Sequence, residues 1–468
     1  MMNWNQLLSF KRLGDDRDHP YDPARPPWQF DYDRIIFSSA FRRMQDKTQV
    51  FPLSGSDYVR TRLTHSLEVS TVAKSLGTAV GHTILSNCGH LEYQNSKKPM
   101  KELLSPSDIG MIVATGALAH DIGNPPFGHS GENAIRYWFQ NSVIAKKIKR
   151  RFSKQQIADF ENWEGNAEGF RILGRQQMAR NDGGLRLTYA ALGAYAKYPT
   201  ASTALLGKEA AKRQVNGKKP GFFRHDADLW GEVATALGLI KEDDLRWCRH
   251  PLAYLTEAAD DICYRIIDLE DGLRLGRMSY AEVESLFLKV TKDINPDWRS
   301  SFPDWDDQAR ITYLRSLVFG AAVRELVEAF VTHESDLLAG TFEGDLLTRT
   351  QSAEAFARMK DLAVSKVYSM RGVLEIEAAG FEILPGLLDA FADAVEKVAA
   401  EKKSKKKCHK ARKLLDLMPR EFHESQGESD VHPDGYIRLL GVVDFVAGMT
   451  DSFALSLYRR IKGIALPS

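Results

Sequence analysis

Residues 106–129 read PSDIGMIVATGALAHDIGNPPFGH, and the fold class and the chemistry both follow from this peptide. Pro106-Ser107-Asp108 offers a helix start, with a proline whose fixed φ suits the first turn. Ile109, Ile112, Val113, Gly116, Ala117 and His120 then recur at three- and four-residue steps, the period of a helix with one buried face. That helix is expected to stop near Asp121, because Gly123 and the Pro125-Pro126 pair cannot continue it. A His-Asp doublet therefore falls at the end of an apolar helix. Burying it is costly unless something compensates it, and a divalent cation does so by taking an imidazole nitrogen and a carboxylate oxygen together.

The same period recurs on both sides. A helix beginning near Arg62 places Leu63, Leu67, Val72 and Leu76 inward, with His65 in its first turn. A helix over 251–273 buries Leu252, Leu255, Ala259, Ile262, Ile266 and Leu273, yet carries Asp260, Tyr264 and Asp268 four residues apart on one stripe. Alternation of the strand kind is scarce. Neither GxGxxG nor a GxxxxGK[ST] loop occurs, which disfavours a parallel-sheet nucleotide fold. The expected fold is all-α or nearly so, with turns at 181–184 and 216–221 and at most a small β-hairpin.

Composition sets bounds on this picture. The 468 residues exceed one small core, and a formal net charge of +1 supplies no global field for nucleic acid or membrane. The start, Met1-Met2-Asn3-Trp4-Asn5-Gln6, lacks a basic stretch followed by an apolar core, so a cytoplasmic protein without membrane contact is expected. The 4 cysteines show no CxxC pairing, which argues against disulfides and a thiolate zinc site. The run from Lys402 to Lys413 reads first as a solvated helix face or mobile connector, and second as an anion or nucleic-acid contact, single-stranded DNA included. The apolar stretches 374–388 and 441–457 read as core or interface.

His65, His120, Asp121 and Asp260 form an H...HD...D pattern. With it come RTRLTHSLEV from Arg60, HDIGNPPFGHSGE from His120, WEGNAEGFR from Trp163, EAADDICY from Glu257, GMTDSFALSLYRR from Gly448 and DKTQVFPL from Asp46. Together these resemble the bacterial dGTP triphosphohydrolases of the HD superfamily. The resemblance implies a helical HD fold, with a metal-binding core over 30–275 and a helical extension over 276–468 packed on it. It also implies hydrolysis of deoxynucleoside triphosphates at the α-phosphorus, giving deoxynucleoside and triphosphate. The metal ligands would be His65, His120, Asp121 and Asp260, a mixed N/O set open to magnesium, manganese, cobalt, iron or nickel.

By the same resemblance His129 protonates the leaving oxygen and Glu132 orients it. Arg62, Lys197 and Tyr198 meet the phosphates, Tyr264 and Asp268 meet the sugar, and Gln49 lies near its 3′ hydroxyl. Asn166 is a further pocket residue. A homo-oligomer, often a hexamer, and a dNTP activator are implied as well. Two alternatives stay open from sequence: another HD phosphohydrolase acting on cyclic nucleotides, (p)ppGpp or monophosphates, and a single-stranded nucleic-acid-binding protein with a vestigial site. Asp268 has a plainer alternative too, pairing with Arg265 or Arg274.

Overall fold

The computed structural model describes residues 1–464 except 16, 18–20, 50–59, 95–97, 292–293, 296, 369, 405–406 and 424–430, and the side chains of 402–404. Among the described residues the chain is helical apart from one two-stranded antiparallel sheet, Lys241–Asp243 with Arg246–Trp247. The hairpin thus lies at neither glycine-rich turn. It is closed by Asp244 and Leu245, which carry no glycine to announce it.

The central pair is Arg62–Cys88 against Pro106–Ala119. Thr61 caps the first helix by accepting the Thr64 N–H. Ser105 and Asp108 form a reciprocal capping box at the second, with Pro106 in its first turn. The two axes approach closely because small residues face each other. A Cβ at Gly77 would meet the Gly110 Cα at 2.9 Å, and one at Gly110 would meet the Lys74 carbonyl at 2.9 Å.

That contact corrects one expectation about the first helix. Leu67 is 37% exposed, and the buried stripe runs through His65, Ser66, Val69, Ser70, Ala73 and Leu76. Close packing selected small side chains where hydropathy alone favoured large ones. Pro251–Arg274 packs against both central helices. Its N-cap His250 is fully buried, accepts the Leu252 N–H, and is pushed down to about 4 by burial, so it stays a neutral cap.

Two apolar cores result. One joins the amino-terminal helices, the central pair, 251–274 and the helices between 280 and 363. The other packs Ala134, Trp138, Phe160 and Trp163 against the Arg371–Ser404 and Gly435–Ala447 helices. The described residues beyond 276 are therefore shared between the two cores.

Arg171 rivets them. It is buried, donates to both Asp444 oxygens at 2.9 and 3.0 Å, and reaches Asp226 at 3.2 Å. In the apolar stretches, Ile383, Leu384, Leu387 and Leu388 are buried whereas Leu374 is exposed. All 4 cysteines are free thiols. Among the described residues no single helix is long and apolar enough to cross a membrane. In the basic run, Arg412 is committed to Glu401.

Candidate metal centre and active site

The Pro106–Ala119 helix ends one residue before His120, and Asp121 sits in the turn that follows. That turn is packed too tightly for side chains. A Cβ at Gly123 would lie 2.1 Å from the Gly165 carbonyl and from the Gly169 nitrogen, so glycine lets it rest on the 164–169 segment. His120 is fixed by its Nδ1–H, donated to the Ala117 carbonyl at 2.7 Å. This turns Nε2 toward the carboxylates as the nitrogen that would ligate an ion once its proton is displaced.

His65 and Asp260 complete the centre from two other helices. The His65 Nε2 lies 3.0 Å from the Asp260 Oδ1, and the His120 Nε2 lies 3.5 Å from the same atom. Ligand atoms of these three residues fall within 4.8 Å of one another, close enough for one divalent ion with nitrogen and oxygen donors. The donor chemistry fits such an ion: two imidazoles, one of locked tautomer, and a carboxylate held ionised. Asp121, the fourth expected ligand, stands beside them, its Oδ1 3.6 Å from the His120 Nε2. Its two oxygens are engaged by the Arg62 guanidinium, at 2.5 Å, and by the Asn124 amide.

Electrostatics in the centre are mutually supporting. Burial alone would lower the His120 imidazolium, but Asp121 and Asp260 outweigh it and hold it up at about 9. Burial opposes ionisation of Asp121, yet Arg62 and the two histidines bring it down to about 2. Asp260, against the same burial, is held well below the carboxylate range by His120 and His65.

His120, Asp121 and Asp260 form part of the wall of a cavity of about 640 Å3, a size suited to a small-molecule ligand. Arg62, Lys197, Lys218 and Lys219 bring cations to it, and Gln49, Asn166, Tyr198, Tyr264 and His129 also line it. Lys197 leans on Glu257 at 3.3 Å, and Lys219 is held by Glu164. Asn166 is tied to the Glu164 carboxylate at 2.7 Å. The Gln49 side-chain oxygen is buried with no partner among the described residues, an acceptor open to a ligand hydroxyl.

His129 opens the Gly128–Asn141 helix and its side chain is 78% exposed, while its Nδ1 lies 3.0 Å from the buried Glu132 Oε2. The other Glu132 oxygen accepts the Gly165 N–H at 3.0 Å. Burial resists ionisation of Glu132, but His129 and Lys219 hold it below the usual range.

Asp268, expected to meet the sugar, does not line the cavity. It sits behind the wall, pushed up to about 8 by burial, and accepts the Tyr368 hydroxyl. The Tyr368 ring stacks on Tyr264 at 5.6 Å and lines the cavity itself. Arg265 pairs with Asp261 and Arg274 with Glu270.

Sequence reasoning missed Lys218 and Lys219, which stand in the Asn216–Gly221 turn read only as a loop; two adjacent lysines there were the available signal. It also missed Tyr368, Lys360 and Glu377, from helices whose distance along the chain gives no hint of the site. Of the DKTQVFPL motif, residues 50–53 lie outside the described residues. Lys47 is buried and pushed down to about 7, by burial first and by Arg43 next.

The HD domain matches residues 62–165, and the phosphohydrolase-associated domain matches residues 346–460. Over 99% of its length the chain is 40% identical to a deoxyguanosinetriphosphate triphosphohydrolase-like protein of Synechocystis sp., all of which is covered. A protein of the same description from Pseudomonas aeruginosa is 39% identical over 100% of both chains. The deoxyguanosinetriphosphate triphosphohydrolase of Salmonella schwarzengrund is 29% identical over 93% of this chain and 94% of its own. With the helical fold and the two-histidine, carboxylate centre already in place, this full-length similarity means that the chain belongs to the deoxyguanosinetriphosphate triphosphohydrolase family of HD-domain phosphohydrolases.

Proposed function

We infer that this protein hydrolyses deoxynucleoside triphosphates at the α-phosphorus in a metal-dependent reaction, releasing deoxynucleoside and inorganic triphosphate. The observation that carries the inference is the cluster of His65, His120 and Asp260, of which His120 and Asp260 line a cation-lined cavity that His129 also lines. His65, His120 and Asp260, with Asp121 beside them, would hold the ion. A divalent ion supplies Lewis-acid polarisation of a phosphoryl oxygen and a stronger water nucleophile.

Arg62 and the lysines at 197, 218 and 219 offset the charge of the phosphate chain. Carboxylates hold Arg62, Lys197 and Lys219 in the cavity wall, so these cations are in position before a phosphate arrives. When water attacks the α-phosphorus, the bond to the 5′ oxygen breaks and that oxygen leaves as an alkoxide unless it is protonated. His129 is the exposed acid placed to give it a proton, with Glu132 fixing the ring from behind. Tyr264 and Gln49 offer a ring face and an acceptor to the sugar. Asp268 serves the sugar side indirectly, by holding the Tyr368 hydroxyl so that this ring stays stacked on Tyr264.

The relatives' name makes dGTP the first nucleotide to test. Purified protein with each dNTP and manganese or magnesium in 18O-water is expected to give deoxynucleoside and triphosphate, with the label in the triphosphate. Release of orthophosphate or pyrophosphate, or label in the nucleoside hydroxyl, would contradict the inference.

A further inference from the structure

The helix that carries His129 and Glu132 is entered through two consecutive left-handed residues, Phe127 at φ 63° and Gly128 at φ 58°. Glycine adopts that region freely, but phenylalanine does not, so the surroundings must hold Phe127 there. What holds it comes from the far end of the chain. Asp451, 1% exposed at the start of the Asp451–Ile461 helix, accepts the Phe127 N–H on Oδ1 at 2.9 Å. Its Oδ2 accepts the Thr48 N–H at 3.0 Å and the Thr48 hydroxyl. One carboxylate thus ties the His129 helix entrance to the loop that bears Gln49.

Lys47 makes a second tie beside the first. Its buried Nζ donates to the Asn124 carbonyl at 2.5 Å and to the Ala447 carbonyl at 2.9 Å. Asn124 closes the turn after the His-Asp doublet, and Ala447 ends the Gly435–Ala447 helix. Three segments distant in sequence are therefore locked together on both sides of the 124–128 turn. Neither Asp451 nor Lys47 lines the cavity, so neither is placed to touch a ligand.

We propose that Asp451 and Lys47 are positioning residues, whose ties to the 124–128 turn and to Thr48 set the direction in which His129 and Gln49 point into the cavity. The proposal rests on the phosphohydrolase function inferred above. Displacement of a reacting group by about 1 Å costs up to about a hundredfold in rate, whereas ground-state binding through the phosphates is left intact.

The test compares Asp451→Asn, Lys47→Met and a control, Ser452→Ala, whose exposed hydroxyl donates to Asp46. The Asp451→Asn side chain keeps one acceptor oxygen and turns an amide donor toward an N–H. In each positioning variant kcat for dGTP is expected to fall about ten- to a hundredfold, with KM and bound Mn2+ per chain unchanged and Ser452→Ala at the parental rate. A second readout needs no turnover. In protein carrying 13C at histidine Cε1, the His129 resonance, assigned with His129→Gln, is expected to shift or broaden in Asp451→Asn and Lys47→Met and not in Ser452→Ala.

Folded variants with parental kcat and an unmoved His129 resonance would overturn the proposal, as would a lowered melting temperature as the only change. If the parent protein hydrolyses no dNTP, the inferred function fails, and the resonance arm still decides the positioning role. Should one variant not fold, the other decides on both readouts.

Discussion

Replacing Glu132 with glutamine keeps the shape of a side chain that is 2% exposed and removes its charge. The consequence can be worked out atom by atom. The Gly165 N–H still needs an acceptor, which the amide oxygen supplies, so the amide nitrogen is the atom turned toward the His129 Nδ1. A donor then faces a protonated ring that also donates there. What is lost is a hydrogen bond to a charged group, about 1.5–3 kcal/mol, which corresponds to about a 10- to 150-fold fall in kcat at about 1.4 kcal/mol per decade. Removing the acid itself, in His129→Ala, costs the whole proton-transfer contribution, about 10²–10⁴-fold. Because Glu132 acts through His129, the double variant should be no slower than His129→Ala alone. Steady-state kinetics on dGTP, with Mn2+ content and melting temperature recorded for each protein, provide the assay. The reasoning is refuted if Glu132→Gln keeps the parental kcat, if its loss appears only in KM, or if the two losses multiply in the double variant.

Arg171→Met leaves Asp444 buried without its partner, and a broken buried pair of this kind costs about 3–5 kcal/mol. Urea unfolding should show that loss while the folded fraction keeps its kcat; a change within about 0.5 kcal/mol would contradict the rivet between the two cores. Asp159 is buried, accepts the Tyr436 hydroxyl and the Arg224 N–H, and is pushed from 3.8 to about 6, chiefly by burial. The folded state therefore keeps a proton that the unfolded chain releases. Its favourable contribution is complete below pH 3.8 and is lost as pH rises through about 6, a change of about 3 kcal/mol. The stability difference between the parent and Asp159→Asn should move by that amount in favour of the variant from about pH 4 to about pH 7. A flat difference would show that Asp159 does not titrate as described.

The helical class and the ends of 106–119 and 251–274 were legible from local periodicity, while the grouping of His65, His120 and Asp260 was legible only through the resemblance to the H...HD...D pattern, with the cost of burying the doublet alone as a local hint. Leu67 misled because close helix contact rewards small residues, which a hydropathy reading passes over. Asp268 was legible as a stripe-mate of Asp260 and Tyr264, yet its partner Tyr368 lies 100 residues on, so its place behind the wall was not. Asp451, Lys47 and Arg171 share that difficulty. Their longest ties reach residues 273 to 403 positions away, and nothing local marks a residue that acts only through tertiary contacts. Lys218 and Lys219 illustrate the converse, since turn chemistry explained their neighbours well enough to hide what the lysines face.

The claim on which the account most depends is that His65, His120 and Asp260, with Asp121, hold one divalent ion. Titration of the metal-free protein with Mn2+, following free aqueous Mn2+ by electron paramagnetic resonance, tests it without relying on turnover. One tight site per chain is expected, abolished in Asp260→Ala and in His65→Ala while both variants remain folded. A parent protein with no tight site, or an Asp260→Ala variant that binds Mn2+ as the parent does, would contradict it.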